Sequence, residues 1–230
     1  MFISFIFQIK YSFFLVYNKI VSKIFNKSSN LILKNISAVI INLDHRSDRL
    51  KLSRKTLHRM GITKISKFSA INDSIAKRGC ARSHLEVLKQ FRYSRESYRL
   101  ICEDDVKFIG SILKLNEVLK EFLQDKDAKV LCLGNLTKKK IQNYTKTLDR
   151  ALEVQTMSCY LVKQEFALNL IKNAECSIAE LTRTQGINGA IDKLWKTLQV
   201  DYIFVVPKNR LVVQASQYSD IEKKKVRYSY

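Results

Sequence analysis

The chain has few of the residues that build fibrous, repetitive or disulfide-bonded proteins. It contains one proline and six glycines in 230 residues, too few for a collagen-like or linker-rich design. The five cysteines are widely spaced without a CxxC pair, and several lie inside apolar runs. We interpret them as reduced thiols of a cytosolic-type compartment. Because the three histidines have no repeated metal-ligand spacing either, no zinc site is predicted.

Long hydrophobic runs are also missing. The longest uncharged run near the start, Met1 to Ile9, is far shorter than the roughly 20 apolar residues that span a bilayer. Lys10 interrupts it and no small-residue cleavage site follows, so neither a transmembrane helix nor a secretory signal is predicted. We interpret residues 1–30 as an amphipathic basic segment. It either lies on a membrane surface or packs on its own domain, and both interpretations stay open.

Acidic residues are scarce, with 21 Asp and Glu against 41 Lys and Arg and a formal net charge of +20. The cationic residues concentrate in the N-terminal half and at both ends, including a basic aromatic tail at residues 223–230. Such a field suits a phosphate-bearing ligand, an anionic membrane or nucleic acid. The alternative is a lysine-rich surface that is simply solvated.

Apolar strand-like runs alternate with helical patterns from Ser37 onward. "SAVIINL" predicts a buried strand, and Asp48 is the expected cap of a helix that Gly61 ends. "YRLIC" and "AKVLCLG" predict further strands, "KKKIQNYTKT" a loop, and "INGAIDKLWKTL" a helix. The alternation predicts an α/β domain with a mostly parallel sheet over residues 31–222. Ligands of such domains bind beyond the carboxyl ends of the strands.

Three consecutive acids, Glu103, Asp104 and Asp105, follow the strand "YRLIC" in this basic chain. Because side chains alternate along a strand, Glu103 and Asp105 are expected on one side and Asp104 on the other. Two such carboxylates can bind a hard divalent cation, which can also bridge the phosphates of a nucleotide. The alternative is that the acids only cap the next helix.

Two further motifs carry candidate binding residues. In "INLDHRSDR", Asn42 and Asp44 end the first strand, where Asp44 can accept hydrogen bonds from a base or ribose. Arg46 and Arg49 can face phosphate, and the alternative is that Asp48 and Arg49 form a surface pair near a helix start. "GCARSH" is expected to open a helix whose backbone amides can hold an anion, with Ser83 and His84 as candidate contacts and a structural role for His84 as the alternative.

These motifs, in this order, resemble glycosyltransferase family 25, which includes bacterial lipooligosaccharide galactosyltransferases and procollagen galactosyltransferases. The family pattern is an "INLD-R-DR" strand and turn, a "GC--SH" helix start and an "EDD" strand end. Later segments are also similar, namely "MSCYLVKQEFALNLI", "AIDKLW" and "VVQASQYSDIE". The resemblance runs from about Val39 to Ile221, which is nearly the whole predicted domain.

The resemblance implies a GT-A type, Rossmann-like fold and an inverting transfer from a UDP-sugar, commonly UDP-galactose, usually with manganese or else magnesium. It places Glu103 and Asp105 at the metal, and it places the donor beside a set of residues that comprises Asn42, Asp44, Arg46, Arg49, Ser83, His84 and Asp104. Asp192 matches a later family Asp and is the expected base for the acceptor hydroxyl. It can equally bind the acceptor or pair with Lys196 on a helix surface.

The expected activity is therefore synthesis of lipooligosaccharide or another surface glycan. We expect a cytoplasmic protein held peripherally on the cytosolic face of a membrane, where a glycolipid acceptor is found. An inactive glycosyltransferase-like domain is one alternative. A basic nucleic-acid-binding protein or metal nuclease is another, but it leaves the ordered motifs unexplained.

Overall fold

The structure, a computed structural model, describes residues 32–134 and 142–215, and the backbone alone of 141, 217–219 and 224–226. The described strands are β1 (Ser37–Asn42), β2 (Lys64–Ser69), β3 (Tyr98–Glu103), β4 (Val106–Phe108), β5 (Ala128–Cys132), β6 (Ile141–Asn143), β7 (Leu148–Ala151), β8 (Cys159–Lys163), β9 (Ile203–Pro207), β10 (Val212–Gln214), β11 (Gln217–Ser219) and β12 (Lys224–Val226). Residues 32–35 are helical. The further helices are α1 (Ser47–Arg59), α2 (Ala76–Arg92), α3 (Ile112–Gln124), α4 (Ala167–Arg183) and α5 (Ile191–Asp201), with a 3₁₀ turn at Gln164–Phe166.

The central sheet has the strand order β2-β1-β3-β8-β5-β9-β7-β6. Strands β8 and β7 are antiparallel to their neighbours, and the other strands all run in one direction. The carboxyl ends of β1, β3 and β5 therefore lie at the same edge of the sheet. The predicted α/β class with a mostly parallel sheet is confirmed.

Side-chain alternation divides the core into two layers, one on each face of the sheet. In β1, Val39 and Ile41 belong to the cluster that includes buried residues of α2, α4 and α5. Ala38 and Ile40 belong to the other cluster, with residues of α1 and α3. A strand that is apolar on both faces is typical of a sheet covered by helices on both sides.

Three local predictions are wrong. Helix α1 begins two residues earlier than expected and has no side-chain cap, because Asp48 lies inside its first turn and pairs with Arg46. The predicted loop "KKKIQNYTKT" contains β6, which pairs with β7 as a hairpin. Helix α5 begins only at Ile191, since Gly186 and Gly189 adopt positive φ angles of 85° and 96° that end the preceding turns.

The helices of the described part include none with the length and apolar composition of a bilayer span. The predicted segment 1–30 lies outside the described residues, and of the predicted tail 223–230 only the backbone of Lys224–Val226 is described. Those two predictions therefore stay predictions.

Candidate active site

The site begins where β1 and β3 end side by side. The two strands are parallel, and Ile41 is paired with Glu103 in their register. Asn42 therefore lies beside the first acid of the triplet, and the residues after each strand meet at the same sheet edge. The strand pattern predicted that the residues after both strands lie at carboxyl ends of the sheet, but not that β1 and β3 are neighbours.

Asp104 is directed toward α1 and lies inside the protein. Its Oδ2 accepts a hydrogen bond from Asn42 Nδ2 at 2.7 Å, and its Oδ1 is 3.1 Å from Arg49 Nη1. The hydroxyl of Ser53 donates to its backbone carbonyl at 2.5 Å. Burial raises the pKa of the Asp104 carboxyl, and the Arg49 charge and Asn42 hydrogen bond oppose that change. The middle acid thus joins the ends of β1 and β3 to α1.

Asp105 is held beside the short strand β10. Gln214 Nε2 donates to its Oδ2 at 3.1 Å, and Ala215 N donates to its backbone carbonyl at 2.7 Å. Its Oδ1 is shielded from solvent and has no hydrogen-bond partner among the described residues. Burial first, then the charges of Glu103 and Asp104, raise the Asp105 pKa to about 8. A carboxylate in this environment is stabilised by a cation.

Asp44 and Arg46 lie at the outer part of the same edge. The side chain of Asp44 is 72% exposed and forms an ion pair with Lys67 of β2, whose hydrogen bond lowers the pKa of the Asp44 carboxyl. Arg46 pairs with Asp48 at 3.1 Å. Asp44 is therefore near solvent and Arg46 is partly covered, whereas Asn42 and Arg49 are buried.

The start of α2 differs from the prediction, because the helix begins at Ala76 and "GCARSH" lies within its first turns. Asp73 occupies the helix start: its Oδ1 accepts from Ile75 N at 2.9 Å and lies 2.8 Å from Arg78 Nη2. Arg82 also contacts it, at 3.2 Å. The carboxylate of Asp73 is therefore the anion at this helix start, where the sequence predicted that a ligand anion could bind.

Ser83 is buried and uses its hydroxyl twice. It donates to the carbonyl of Gly79 at 2.8 Å and accepts from the amide of Ile71, also at 2.8 Å. The close approach requires glycine at position 79, since a Cβ there would lie 2.6 Å from the carbonyl oxygen of Ile71. Ser83 therefore ties α2 to the segment after β2, and its predicted donor contact stays a prediction.

Cys80 and His84 project from α2 toward Glu103. Sγ of Cys80 and Nε2 of His84 are each 3.6 Å from the same atom, Oε1 of Glu103. His84 is fully buried, and its Nδ1 lies 3.0 Å from the hydroxyl of Tyr160. Its Nε2 has no hydrogen-bond partner within the described ranges. Glu103 is thus directed to the α2 face of the sheet, opposite to Asp104.

Asp192 lies in the first turn of α5 and is held by the segment before β8. The pKa of its carboxyl is raised by burial, an effect that hydrogen bonds from the Gln155 side chain and the Thr156 amide oppose. Thr156 has a φ of 91°, which is unfavourable for a β-branched residue. Strain of this kind persists only where surrounding contacts impose it, and it is often found at functional sites.

Further contacts to the segment before β8 come from the next turns of α5. Trp195 Nε1 and Gln199 Nε2 both donate to the carbonyl of Val154, at 2.9 and 2.7 Å. Gln199 Oε1 also accepts from the Val154 amide at 2.8 Å. Spacings of three and four residues place Asp192, Trp195 and Gln199 on one helix face. That face of α5 contacts the segment before β8 over two turns of the helix.

Glu103 is close enough to several of these residues to affect their charges. The negative charge of Glu103 contributes to the raised pKa of Asp105, of Asp192 and of the Cys80 thiol. Desolvation is the largest cause in all three cases. Residues from β3, α2 and α5 therefore share an acidic, partly desolvated region inside a strongly basic protein, an arrangement that attracts a cation.

Sequence reasoning missed the thiol of Cys80 and the hydroxyl of Tyr160. The missed signal was the spacing of Cys80 and His84, which places them on the same face of a helix. Nothing local marks Tyr160, which lies in an apolar strand. Gln214 was noticed only within the resemblance, and its contact with Asp105 depends on strand pairing between β10 and β4.

Comparison with solved structures identifies the fold. The chain is similar to a glycosyltransferase involved in the glycosylation of the major capsid of PBCV-1, with a TM-score of 0.53 and 9% identity over 82% of this chain and 96% of that chain. It also resembles the glycosyltransferase GlyE of Streptococcus pneumoniae TIGR4, with a TM-score of 0.43 and 11% identity over 86% of this chain and 52% of that chain. The first likeness shows a GT-A-like glycosyltransferase fold, which confirms that part of the prediction.

No protein-family model and no curated protein matches the sequence. Membership of glycosyltransferase family 25 therefore stays a prediction from the motifs.

Proposed function

We propose that the protein is a metal-dependent inverting glycosyltransferase that moves a sugar from a UDP-sugar to a glycan acceptor. The proposed donor is UDP-galactose, as the resemblance to family 25 implies. The observation that carries the proposal is the convergence of Glu103, Asp105 and Asp192 at the carboxyl edge of the sheet, where the charge of Glu103 acts on both aspartates. The GT-A-like fold supports it.

The acids suit a hard divalent cation such as Mn²⁺ or Mg²⁺. Carboxylate oxygens are the ligands that these ions prefer. The shielded Oδ1 of Asp105 offers an oxygen without a partner among the described residues, and the mutual repulsion of Glu103 and Asp105 is relieved by positive charge. When bound, the cation neutralises charge on the departing diphosphate. We assign its protein ligands to Glu103 and Asp105.

Donor contacts divide into two groups. Asp44 is exposed and Arg46 is partly exposed at the outer part of the edge, and we propose that they contact the ribose or a phosphate directly. Asn42, Arg49, Asp104 and Ser83 are buried and bonded to other parts of the protein, so we propose that they shape the donor pocket.

Asp192 is the proposed base. In an inverting transfer the acceptor oxygen bonds to the anomeric carbon, the bond from that carbon to the diphosphate breaks, and the acceptor hydroxyl loses its proton to the base. A carboxylate with a raised pKa accepts that proton more readily than an ordinary aspartate. Burial raises the pKa of Asp192 in this way, and the Gln155 and Thr156 hydrogen bonds orient the carboxyl group.

The test is calorimetric binding of UDP with and without Mn²⁺. We expect the wild-type protein to bind UDP more tightly with Mn²⁺, and we expect Asp105→Asn to lose that difference. Asp127→Asn is the matched control, because it removes an exposed acid beyond α3.

Binding of UDP that is the same with and without Mn²⁺ contradicts the metal assignment. No UDP binding by a folded wild-type protein contradicts the active-enzyme proposal and favours an inactive or nucleic-acid-binding domain. If UDP binds, a screen of UDP-sugars for turnover identifies the donor.

The proposed acceptor is a glycolipid of lipooligosaccharide or another surface glycan, reached from the cytosolic face of a membrane. The cationic composition of segment 1–30 and tail 223–230 supports this location. The described residues add an exposed cationic face of α1, with Lys51, Arg54, Lys55 and Arg59 beside the exposed Leu52. Liposome binding that is unchanged after deletion of residues 1 to 27 and 223 to 230 contradicts a role of those ends.

A further inference from the structure

Cys80, His84 and Glu103 come together from two separate elements of the fold. Their candidate ligand atoms, one from each side chain, all lie within 4.8 Å of one another. Two of the separations, from Oε1 of Glu103 to Sγ of Cys80 and to Nε2 of His84, are both 3.6 Å. A tetrahedral ion with bonds of about 2.0–2.3 Å separates its ligand atoms by about 3.3–3.7 Å. The two separations from Glu103 Oε1 are thus already in the range that such an ion requires, and the third, between Sγ and Nε2, is at most 4.8 Å.

The contact of His84 Nδ1 favours the tautomer in which Nε2 can bind a metal ion. Nδ1 lies 3.0 Å from the Tyr160 hydroxyl, whose oxygen can accept a hydrogen bond from the Nδ1–H group. In that tautomer Nε2 carries the lone pair, and Nε2 is the buried atom that lacks a hydrogen-bond partner among the described residues. A histidine that ligates a metal usually donates its other N–H to a neighbouring acceptor, which fixes the ring.

The ring of Tyr160 is itself held in place. Its centroid is 5.8 Å from that of His84 in a stacked arrangement, and 5.8 Å from that of Trp195 in an edge-to-face arrangement. All three rings are fully buried. The imidazole therefore has little freedom to turn away from Glu103.

Two members of the cluster are partly exposed among the residues that the structure describes. Cys80 is only partly buried, and the side chain of Glu103 is 26% exposed. An ion can therefore enter between these two residues, and a water molecule can complete its coordination. The charges of Asp105 and Asp192, which act on Cys80, add attraction for a cation.

We propose that Cys80 Sγ, His84 Nε2 and Glu103 Oε1 form a binding site for a zinc-class divalent cation, distinct in chemistry from the oxygen site of the donor cation. Thiolate and imidazole ligands favour Zn²⁺ and Co²⁺ over Mn²⁺ and Mg²⁺. On binding, the S–H bond of Cys80 breaks, the proton passes to the solvent and a sulfur–metal bond forms, so no oxidant or reductant is needed.

Because Glu103 belongs to both sites, zinc binding would withdraw a ligand from the donor cation. Zinc would then inhibit Mn²⁺-dependent UDP binding. This consequence rests on the proposed function, whereas metal binding by the three side chains does not.

The test uses Co²⁺ as a spectroscopic probe with the full-length, reduced and metal-free protein. A cobalt–thiolate bond gives a charge-transfer band in the near ultraviolet, and tetrahedral Co²⁺ gives strong visible bands. We expect both in the wild-type protein, with displacement of Co²⁺ by Zn²⁺. Cys80→Ser is expected to lose the charge-transfer band, and Cys176→Ser, which alters an exposed cysteine on α4, is expected to keep it.

Tyr160→Phe provides a second variant that keeps all three ligands and the aromatic ring. Removal of the hydroxyl leaves His84 Nδ1 without its acceptor, and we expect Zn²⁺ affinity to fall by about tenfold. Circular dichroism and thermal unfolding establish that each variant is folded.

The absence of a cobalt–thiolate band in the folded wild-type protein overturns the proposal, as does a band that persists in Cys80→Ser. The result is independent of the donor site. A protein that binds Co²⁺ at Cys80 but no UDP contradicts only the glycosyltransferase proposal, and one that binds UDP with Mn²⁺ but shows no thiolate band contradicts only the zinc site.

Discussion

Arg49 and Asp104 form a buried ion pair in which Nη1 of Arg49 is 3.1 Å from Oδ1 of Asp104. The pair joins the first turn of α1 to the middle acid of the triplet that follows β3. Asn42 completes the group by donating to the other carboxylate oxygen at 2.7 Å. Glu103 and Asp105 are the chain neighbours of Asp104, so their positions depend on this buried ion pair and hydrogen bond.

Loss of the arginine should destabilise the protein. We expect Arg49→Met to lower the free energy of unfolding by about 3 kcal/mol, because it leaves the Asp104 charge buried without its cation. Arg54→Met is the control, since Arg54 is exposed on the same helix, and a change within about 0.5 kcal/mol is expected. Urea unfolding measures both. Equal stability of the two variants would show that the ion pair contributes little.

Asp73 should make stability depend on pH in the acid range. The hydrogen bond from Arg78 is the largest cause that holds the pKa of this carboxyl well below its usual value, and its side chain is only 3% exposed. A lowered pKa in the folded state contributes stability above the ordinary aspartate pKa of about 4, and that stability is lost as the pH falls toward the folded-state value.

We therefore expect Asp73→Asn to be less stable than wild type by about 2 kcal/mol at pH 6, because hydrogen bonds to a charged group are lost. The difference should shrink at pH 3. Chemical unfolding of both proteins at the two pH values measures it. A stability difference that does not change with pH would contradict the assigned cause.

Asp192→Asn tests the proposed base. We expect sugar transfer to fall by about 10²–10⁴-fold, while Mn²⁺-dependent UDP binding keeps its wild-type affinity, since the base acts on the acceptor. Asp201→Asn removes an exposed acid at the far end of α5 and should leave transfer unchanged. An Asp192→Asn protein with normal transfer would exclude this residue as the base.

Gln199 should be needed for stability because it binds both backbone groups of Val154. Gln199→Ala leaves those buried groups partly unpaired, and we expect the free energy of unfolding to fall by about 2 kcal/mol. Lys193→Ala on the exposed side of the same helix is the matched control. Thermal unfolding of the two variants decides the matter, and similar midpoints would mean that the segment before β8 is held by other contacts.

The sequence indicated the main architecture because the relevant signals are local. The alternation of apolar runs and helical patterns predicted the α/β class and placed Asn42, Asp44 and the acidic triplet at the carboxyl ends of strands. That β1 and β3 are neighbours, which brings Asn42 beside Glu103, was not predicted. The hairpin of β6 and β7 was not predicted, since its strands are short and partly polar and depend on pairing with β9 for their stability.

The direction of each acid in the triplet was only partly predictable. Strand alternation separates Asp104 from Glu103. The helices that cover the two faces of the sheet decide which partner each acid has. Helix α1 brings an arginine to Asp104, and α2 brings a thiol and an imidazole to Glu103. The periodicity of apolar residues does not predict which helix covers which face, because it describes one helix or strand at a time.

The amino-acid sequence therefore determined the elements, the sheet edge that carries polar residues and the acidic triplet itself. The tertiary structure decided that Arg49 is a partner of Asp104, that Asp192 lies within the field of Glu103, and that Cys80 and His84 share one oxygen of Glu103. These relationships join residues far apart in the chain. They exist only because packing of α1, α2 and α5 against one sheet brings their side chains to the same edge.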